Sequence, residues 1–316
     1  MAKGAFDFST PPLVFAGWPG MGDVGLKAME YIRQKVDAHL FAELDMSPFY
    51  TPEEVVVEGG LARFPEIPKS LFLEHHNPDV VIFESTMQLG GADAMTVTQA
   101  VLDVVHKTKA KRVFTAAAFP FPMSYKSEPR VFFAANNKKL INKLTLQGVE
   151  PMPEGFISGP NGILLGIAAS QKIEAACIMA TIPSYATGLP YPKASLAIVK
   201  TLADIANLDI PTEDLQAEAD SYDENYEEIE ERLRQVFPNM IEGEDEMIPG
   251  AFPEPTPSEE KEDKVPEFVM KKIEHLFREV AKSKNKDQAS ELKQELDKWG
   301  IFDLYEKRFL DLFKEE

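Results

Sequence analysis

Residues 15–25 read FAGWPGMGDVG, and the architecture can be built outward from them. The apolar run Leu13-Val14-Phe15-Ala16 enters this turn, and a helical pattern from Leu26 to Val36 leaves it. A buried strand, a tight turn and a helix in that order form the repeating unit of a wound parallel sheet. Inside the turn Gly20, Gly22 and Gly25 match G-x-G-x-x-G, the spacing of a dinucleotide-binding turn. In that reading an acid about 20 residues on holds a ribose, and Glu43 or Asp45 falls there. Against it, Trp18-Pro19 separates the strand from the first motif glycine, and the charge of Asp23 opposes a pyrophosphate. A phosphate loop fits less well, because Leu26 takes the lysine position and no Ser or Thr follows Lys27. The third reading is geometric: the glycines permit positive φ and close approach of backbones. We favour it, and expect neither NAD nor ATP to bind specifically.

Further strands are expected at His39–Leu44, Val55–Gly59, Val80–Glu84, Val113–Ala117, Val131–Ala134 and Ala175–Ala180. Runs such as Val80-Val81-Ile82-Phe83 suit strands covered on both faces. Between them, Val97, Val101, Val104 and Val105 recur at helical spacing, and residues 136–148 end at Gly148 in the place of a C-terminal cap. Residues 162–172 and 191–208 supply two more helices. The alternation predicts an α/β domain with a mostly parallel sheet.

The net charge of −19 is concentrated: residues 212–263 hold 19 acidic and 3 basic residues. Residues 213–237 read as a solvated polar helix with sparse apolar positions; the acidity also offers a surface to a basic partner. The domain is therefore expected to run over 1–237, followed by an acidic, proline-rich tether at 238–264. A C-terminal helical module follows at 265–316, with an amphipathic stripe at Val269, Ile273, Leu276, Phe277 and Val280. Leu292, Leu296 and Trp299 continue it, then Phe302, Leu304, Tyr305, Phe309, Leu312 and Phe313. So much apolar surface predicts a docked module on a mobile tether.

Several chemistries are excluded as expectations. Nucleic-acid binding lacks its basic footprint. No apolar run approaches the ~18 residues of a membrane helix, and the first residues show no secretory h-region. The single cysteine, Cys177, lies in an apolar run, which argues for packing and for a reducing, cytoplasmic setting. His75-His76 are adjacent and cannot converge on one ion, so they read as a solvated turn, and no metal or cofactor is expected.

FAGWPGMGDVGLKAMEYI (15–32) together with GVEPMPEGFISGPNGILLGIAASQKIEAACIMATIPSY (148–185) resembles the proteasome-assembly-chaperone-two (PAC-two) domain family. The resemblance covers roughly residues 10–230. It implies a three-layer α/β/α fold like that of purine nucleoside phosphorylase, with a tendency to oligomerise and no established catalytic residues. Chaperone members that dock on the proteasome often end in a hydrophobic–Tyr–any-residue tail. This sequence ends Leu312-Phe313-Lys314-Glu315-Glu316, without that pattern.

The candidate pocket or partner-facing positions are Gly17, Trp18, Gly20, Gly22, Asp23 and Gly25 in the first loop, Glu84 at a strand end, and Gly159, Asn161 and Gly162 in the second. Both loops are expected at carboxyl ends of strands, where open α/β sheets bind ligands. The leading expectation is a non-catalytic homo-oligomer of three or more subunits, with a protein client such as proteasome subunits. The rival is a small-ligand binder or nucleosidase using Glu84 and Asp93.

Overall fold

The computed structural model describes residues 8–236 and, beyond them, Ile273, Leu276, Phe277, Val280, Leu292, Lys293, Leu296 and Tyr305. Ten strands lie in the described part: β1 (Leu13–Gly17), β2 (His39–Leu44), β3 (Val56–Glu58), β4 (Leu61–Arg63), β5 (Ser70–His75), β6 (Val80–Ser85), β7 (Arg112–Phe121), β8 (Val131–Ala135), β9 (Glu150–Pro151) and β10 (Glu174–Pro183). The helices are α1 (Val24–Lys35), α2 (Gly91–Lys107), α3 (Lys138–Leu146), α4 (Gly159–Ser170), α5 (Pro192–Ala206) and α6 (Glu213–Val236).

Eight strands make one sheet in the order β2-β5-β6-β1-β7-β10-β8-β9, and β3 and β4 pair separately. The central strands β6, β1, β7 and β10 are parallel, with Leu13 of β1 opposite both Val80 and Arg112. Antiparallel strands extend the sheet on both sides, β5 and β2 at one end and β8 at the other. Strand alternation sends Phe15, Ile82 and Phe114 to one face, where α1, α5 and α3 cover them. Val14, Phe83 and Val113 turn to the other, under α2 and α4. The result is the expected α/β/α sandwich.

Three local differences from the sequence reading have plain causes. β5 went unexpected because its apolar core is only Leu71-Phe72-Leu73. It ends at His75, so the turn falls on residues 76–79, where the His76 ring meets Asp79 at 3.1 Å. The strand expected at Val55–Gly59 is the first half of a hairpin, folded back at Gly59-Gly60 onto β4.

Helix α6 is also not a simply solvated helix. Leu215, Ala219 and Tyr226 are buried, and half-buried Tyr222 and Ile229 fill the spacing between them. Steps of three and four residues keep them on one stripe, which packs against α5. At its first turn the Tyr31 hydroxyl meets the Asp214 carboxylate, and Lys35 Nζ lies 2.6 Å from it.

The chain divides into two compact units, Met1–Gly250 and Ala251–Glu316. In the second, Ile273, Leu276, Phe277, Val280, Leu292 and Leu296 are helical and buried, and the Phe277 and Tyr305 rings lie 5.7 Å apart. The tether expected at 238–264, and Val269, Trp299, Phe302, Leu304, Phe309, Leu312 and Phe313, lie outside the described residues.

Candidate functional site

Because β6, β1, β7 and β10 are parallel, the loops that leave them share one edge of the sheet. That edge is where an open α/β sheet offers a crevice. The first glycine loop occupies it between β1 and α1. Trp18 is buried there, its ring 5.3 Å from that of Phe83. Gly22 and Asp23 both take left-handed backbone conformations, at φ 62° and 51°. Asp23 itself is exposed.

Two observations decide how the loop is used. Its amides are engaged by the chain's own carbonyls: Gly22 N–H donates to Thr187 at 3.1 Å, Asp23 N–H to Gly20 at 3.0 Å, and Val24 N–H to Met21. A phosphate cradle needs such groups pointing outward. The third motif glycine, meanwhile, has no room. A Cβ on Gly25 would stand 2.2 Å from the carbonyl oxygen of Ala116 in β7, and one on Gly17 would stand 2.5 Å from Met29 Cγ. The glycines let α1 ride directly on the sheet, which is the geometric reading.

The second cluster repeats the device at the amino end of α4. A Cβ on Gly162 would lie 1.9 Å from the Ile157 carbonyl oxygen. The loop holding Ile157 crosses the sheet, with Met152 and Ile157 packed over Phe132, Cys177 and Met179. Asn161 Oδ1 is buried with no hydrogen-bond partner among the described residues. Both glycine loops approach Gln88, in the loop after β6. Its Oε1 lies 3.9 Å from the Cβ position of Gly20, and its Nε2 lies 3.0 Å from that of Gly159.

Glu84 stands apart from this point of approach. It is buried on the α1 side of the sheet, bonded to Arg33 Nε at 2.9 Å. Burial pushes its carboxyl above the ordinary range, and the Arg33 guanidinium opposes the rise. Asp93, its supposed catalytic companion, is exposed in the first turn of α2 on the opposite face. The structure does not bring the two acids together.

A second set of residues fastens α6 over the same edge. Glu230, 2% exposed, accepts hydrogen bonds from Ser124 Oγ at 2.9 Å and the Tyr185 hydroxyl at 3.3 Å. The Tyr226 hydroxyl donates to the Pro190 carbonyl at 2.7 Å, and Lys193 Nζ donates to the Tyr125 carbonyl at 2.9 Å while pairing with Asp223 at 3.1 Å. Tyr191 stacks edge-on to Tyr226 at 5.1 Å, and its hydroxyl is buried without a partner among the described residues. Burial raises the hydroxyl pKa of Tyr185, Tyr191 and Tyr226. Beneath α6 a cleft of about 450 Å³ is lined by Pro19, Gly22, Leu26, Tyr191, Ser195 and Tyr222. Gln88, Lys193, Tyr226 and Glu230 lie outside both glycine-loop stretches, and Tyr185 closes the second one (148–185) without being singled out there. The one available signal was Tyr222 and Tyr226 at helical spacing with Leu215 and Ala219.

Among the described residues no group of three or more His, Cys, Asp or Glu could hold a metal. Cys177 is fully buried, its thiol pushed up to about 12 by loss of solvent. No described helix is long and apolar enough to cross a membrane.

The model of the PAC2 family matches residues 14–230, from the start of β1 to the buried acid of α6. This chain belongs to the PAC2 family. No curated protein matches its sequence. Among solved structures it is similar to Pyrococcus furiosus PbaB, an archaeal proteasome activator, at 26% identity and a TM-score of 0.57, covering 72% of this chain and 93% of that one. Pyrococcus furiosus PbaA, an archaeal homolog of proteasome-assembly chaperone, matches at 21% identity and a TM-score of 0.56, over 73% and 93%. A PAC2 family protein from Streptomyces avermitilis matches at 19% identity and a TM-score of 0.60, over 71% and 98%. The last two speak for the shared fold.

Proposed function

We propose that this PAC2 member is a cytoplasmic, self-associating protein-interaction domain that works without catalysis, with proteasome subunits as its partner class. The observation that carries this reading is how the glycine-loop edge is built. Its amides, Gly22 to Val24, donate inward, Glu84 is held by Arg33, and Glu230 is fastened to Ser124 and Tyr185. Such an edge is a firm surface rather than a set of groups waiting for a substrate. Over it α6 turns outward Asp220, Glu224, Glu227, Glu228 and Glu231, all exposed. A fixed acidic ridge suits a basic protein surface and speeds encounter with it. The proteasome activator PbaB supports the partner class by its 26% identity. Cytoplasmic residence accords with a lone, buried, unpaired cysteine.

The test is binding of the intact chain to isolated proteasome α-subunits and to assembled particles. We expect saturable binding that weakens steeply as salt rises through the Debye range. No binding to either would overturn the partner class. The cleft beside the unpartnered Tyr191 hydroxyl favours a second reading, a small-ligand binder. Thermal shift against nucleosides decides it, since a ligand at 100 times its Kd stabilises by about 2.7 kcal/mol.

A further inference from the structure

The β3–β4 hairpin has a surface that nothing in the described fold covers. It lies between β2 and β5, the outermost strands at one end of the large sheet, but joins neither. A lone two-stranded hairpin is marginal in water. The register Val56↔Arg63, Val57↔Ala62 and Glu58↔Leu61 puts Val57 and Ala62 on one face, and alternation adds Val55 and Phe64 to it. Val57 is 62% exposed and Phe64 70%. Glu58 and Arg63 pair on the other face at 3.1 Å. Leu61, opposite Glu58 on that second face, is 72% exposed as well, so both sides of the hairpin leave apolar surface in water.

At the far end of the sheet, beside β8 and β9, Leu146 at the end of α3 is 89% exposed. The two ends also differ in charge. Residues 51–68 carry Glu53, Glu54, Glu58 and Glu66 against Arg63 alone, whereas residues 138–156 carry Lys138, Lys139 and Lys143 against Glu150 and Glu154, and Glu150 is paired with Arg130. Lys138 and Lys139 are exposed, Lys139 lying 3.9 Å from Glu174.

We infer that the hairpin is an arm by which one copy of this chain grips the α3–β8 end of the next, head to tail. This rests on the self-association proposed above and names its surfaces. Charge favours that arrangement over two arms facing each other, because Glu53, Glu54, Glu58 and Glu66 of one arm would meet the same acids of the next. Head-to-tail contacts of this kind close into a ring when the rotation from copy to copy closes. Opposite charges at the two ends fix the direction.

Cys177, the chain's single cysteine, is buried, so engineered thiols report cleanly. Light scattering on the intact wild-type chain should give at least three subunits, and a monomer would sink the self-association reading itself. Oxidised F64C/L146C should then give a ladder of covalent oligomers on a non-reducing gel, while F64C alone stays a single chain. Equal crosslinking by F64C alone would mean arms meeting arms, and an oligomeric wild type with no ladder would refute the arm while leaving self-association intact. V57D/F64D should raise the dissociation constant at least tenfold with an unchanged circular dichroism spectrum, and retention of the wild-type mass would overturn the proposal. K138E/K139E should dissociate likewise, and adding E53K/E54K should restore the oligomer. Failure of that rescue would count against the charge-matched seat.

Discussion

Gly25 and the pair Gly59-Gly60 are the same residue type in opposite circumstances. A Cβ on Gly25 would drive into the Ala116 carbonyl at 2.2 Å, whereas nothing lies within 4 Å of the corresponding positions at Gly59 and Gly60. The first glycine exists for closeness between a helix and a sheet. The pair exists for the turn, with φ of 57° and 83° in open space. The contrast extends to the regions around them. Near Gly25 every backbone donor of the turn from Gly22 to Val24 has a partner in the chain, and Trp18 is buried. Around Gly59-Gly60 the apolar side chains Val55, Val57, Leu61, Phe64 and Ile67 are all roughly half exposed or more. The conspicuous motif marks the finished part of the molecule, and the inconspicuous hairpin marks the unfinished part.

The largest test of this contrast is Gly25→Ala. With a backbone oxygen in the way, the substitution should destabilise by about 3 kcal/mol or more, read by urea denaturation. A loss under 1 kcal/mol would show that α1 can lift from β7 and would remove the distinction.

Carboxylates sharpen it next. Asp79 is buried; that burial would raise its pKa, but bonds from Thr10 N–H, Ser9, the Thr10 hydroxyl and His76 outweigh it and hold the group at about 2. Lys35 and Tyr31 hold Asp214 at about 2 as well. A depressed folded-state pKa contributes stability that is complete above the ordinary value near 3.8 and is lost as pH falls through about 2. The melting temperature of the wild type should therefore fall across pH 4 to 2, and D79N/D214N should flatten that limb. At neutral pH, Glu58→Gln on the exposed arm should hardly change the melting temperature, since an exposed pair contributes little.

How legible was this in the sequence? Strands buried on both faces announce themselves, because Val80–Phe83 or Ala175–Ala180 is a continuous apolar run, and glycine clusters mark the turns between them. Short apolar stretches do not: Leu71-Phe72-Leu73 and Leu61-Ala62-Arg63 are too brief to stand out. The glycine loops could be placed at one edge because backbone constraint is local. Gln88, Tyr226 and Glu230 could not, because their roles arise only when topology brings distant loops together. Glu230 lies within the run EEIEE, and nothing in that run says which acid turns inward.

Tyr226→Phe is a smaller test. It removes the bond to Pro190 and should cost about 1 kcal/mol while leaving the arm's self-association unchanged. Smallest of all is Gly20→Ala. Although Gly20 opens the motif, its φ of −176° is ordinary extended backbone and its nearest neighbour is 3.9 Å away. The change should stay within about 0.5 kcal/mol. A larger loss would restore a special role to the motif's first position.

The burial of Trp18 has an optical consequence. An indole seated against Phe83 and shielded from water emits at shorter wavelength than one in solvent, and it sits in the turn that carries the glycine motif. The sequence holds only two tryptophans, so replacing Trp299 by Phe leaves a single indole, at the edge of the sheet, to be excited selectively over the tyrosines. Its emission becomes a built-in gauge of that turn. Loosening of α1 would move the spectrum to the red, whereas a partner landing on α6 would leave its wavelength fixed and slow its quenching by iodide. The molecule thus carries its own lamp beside the surface assigned to partners.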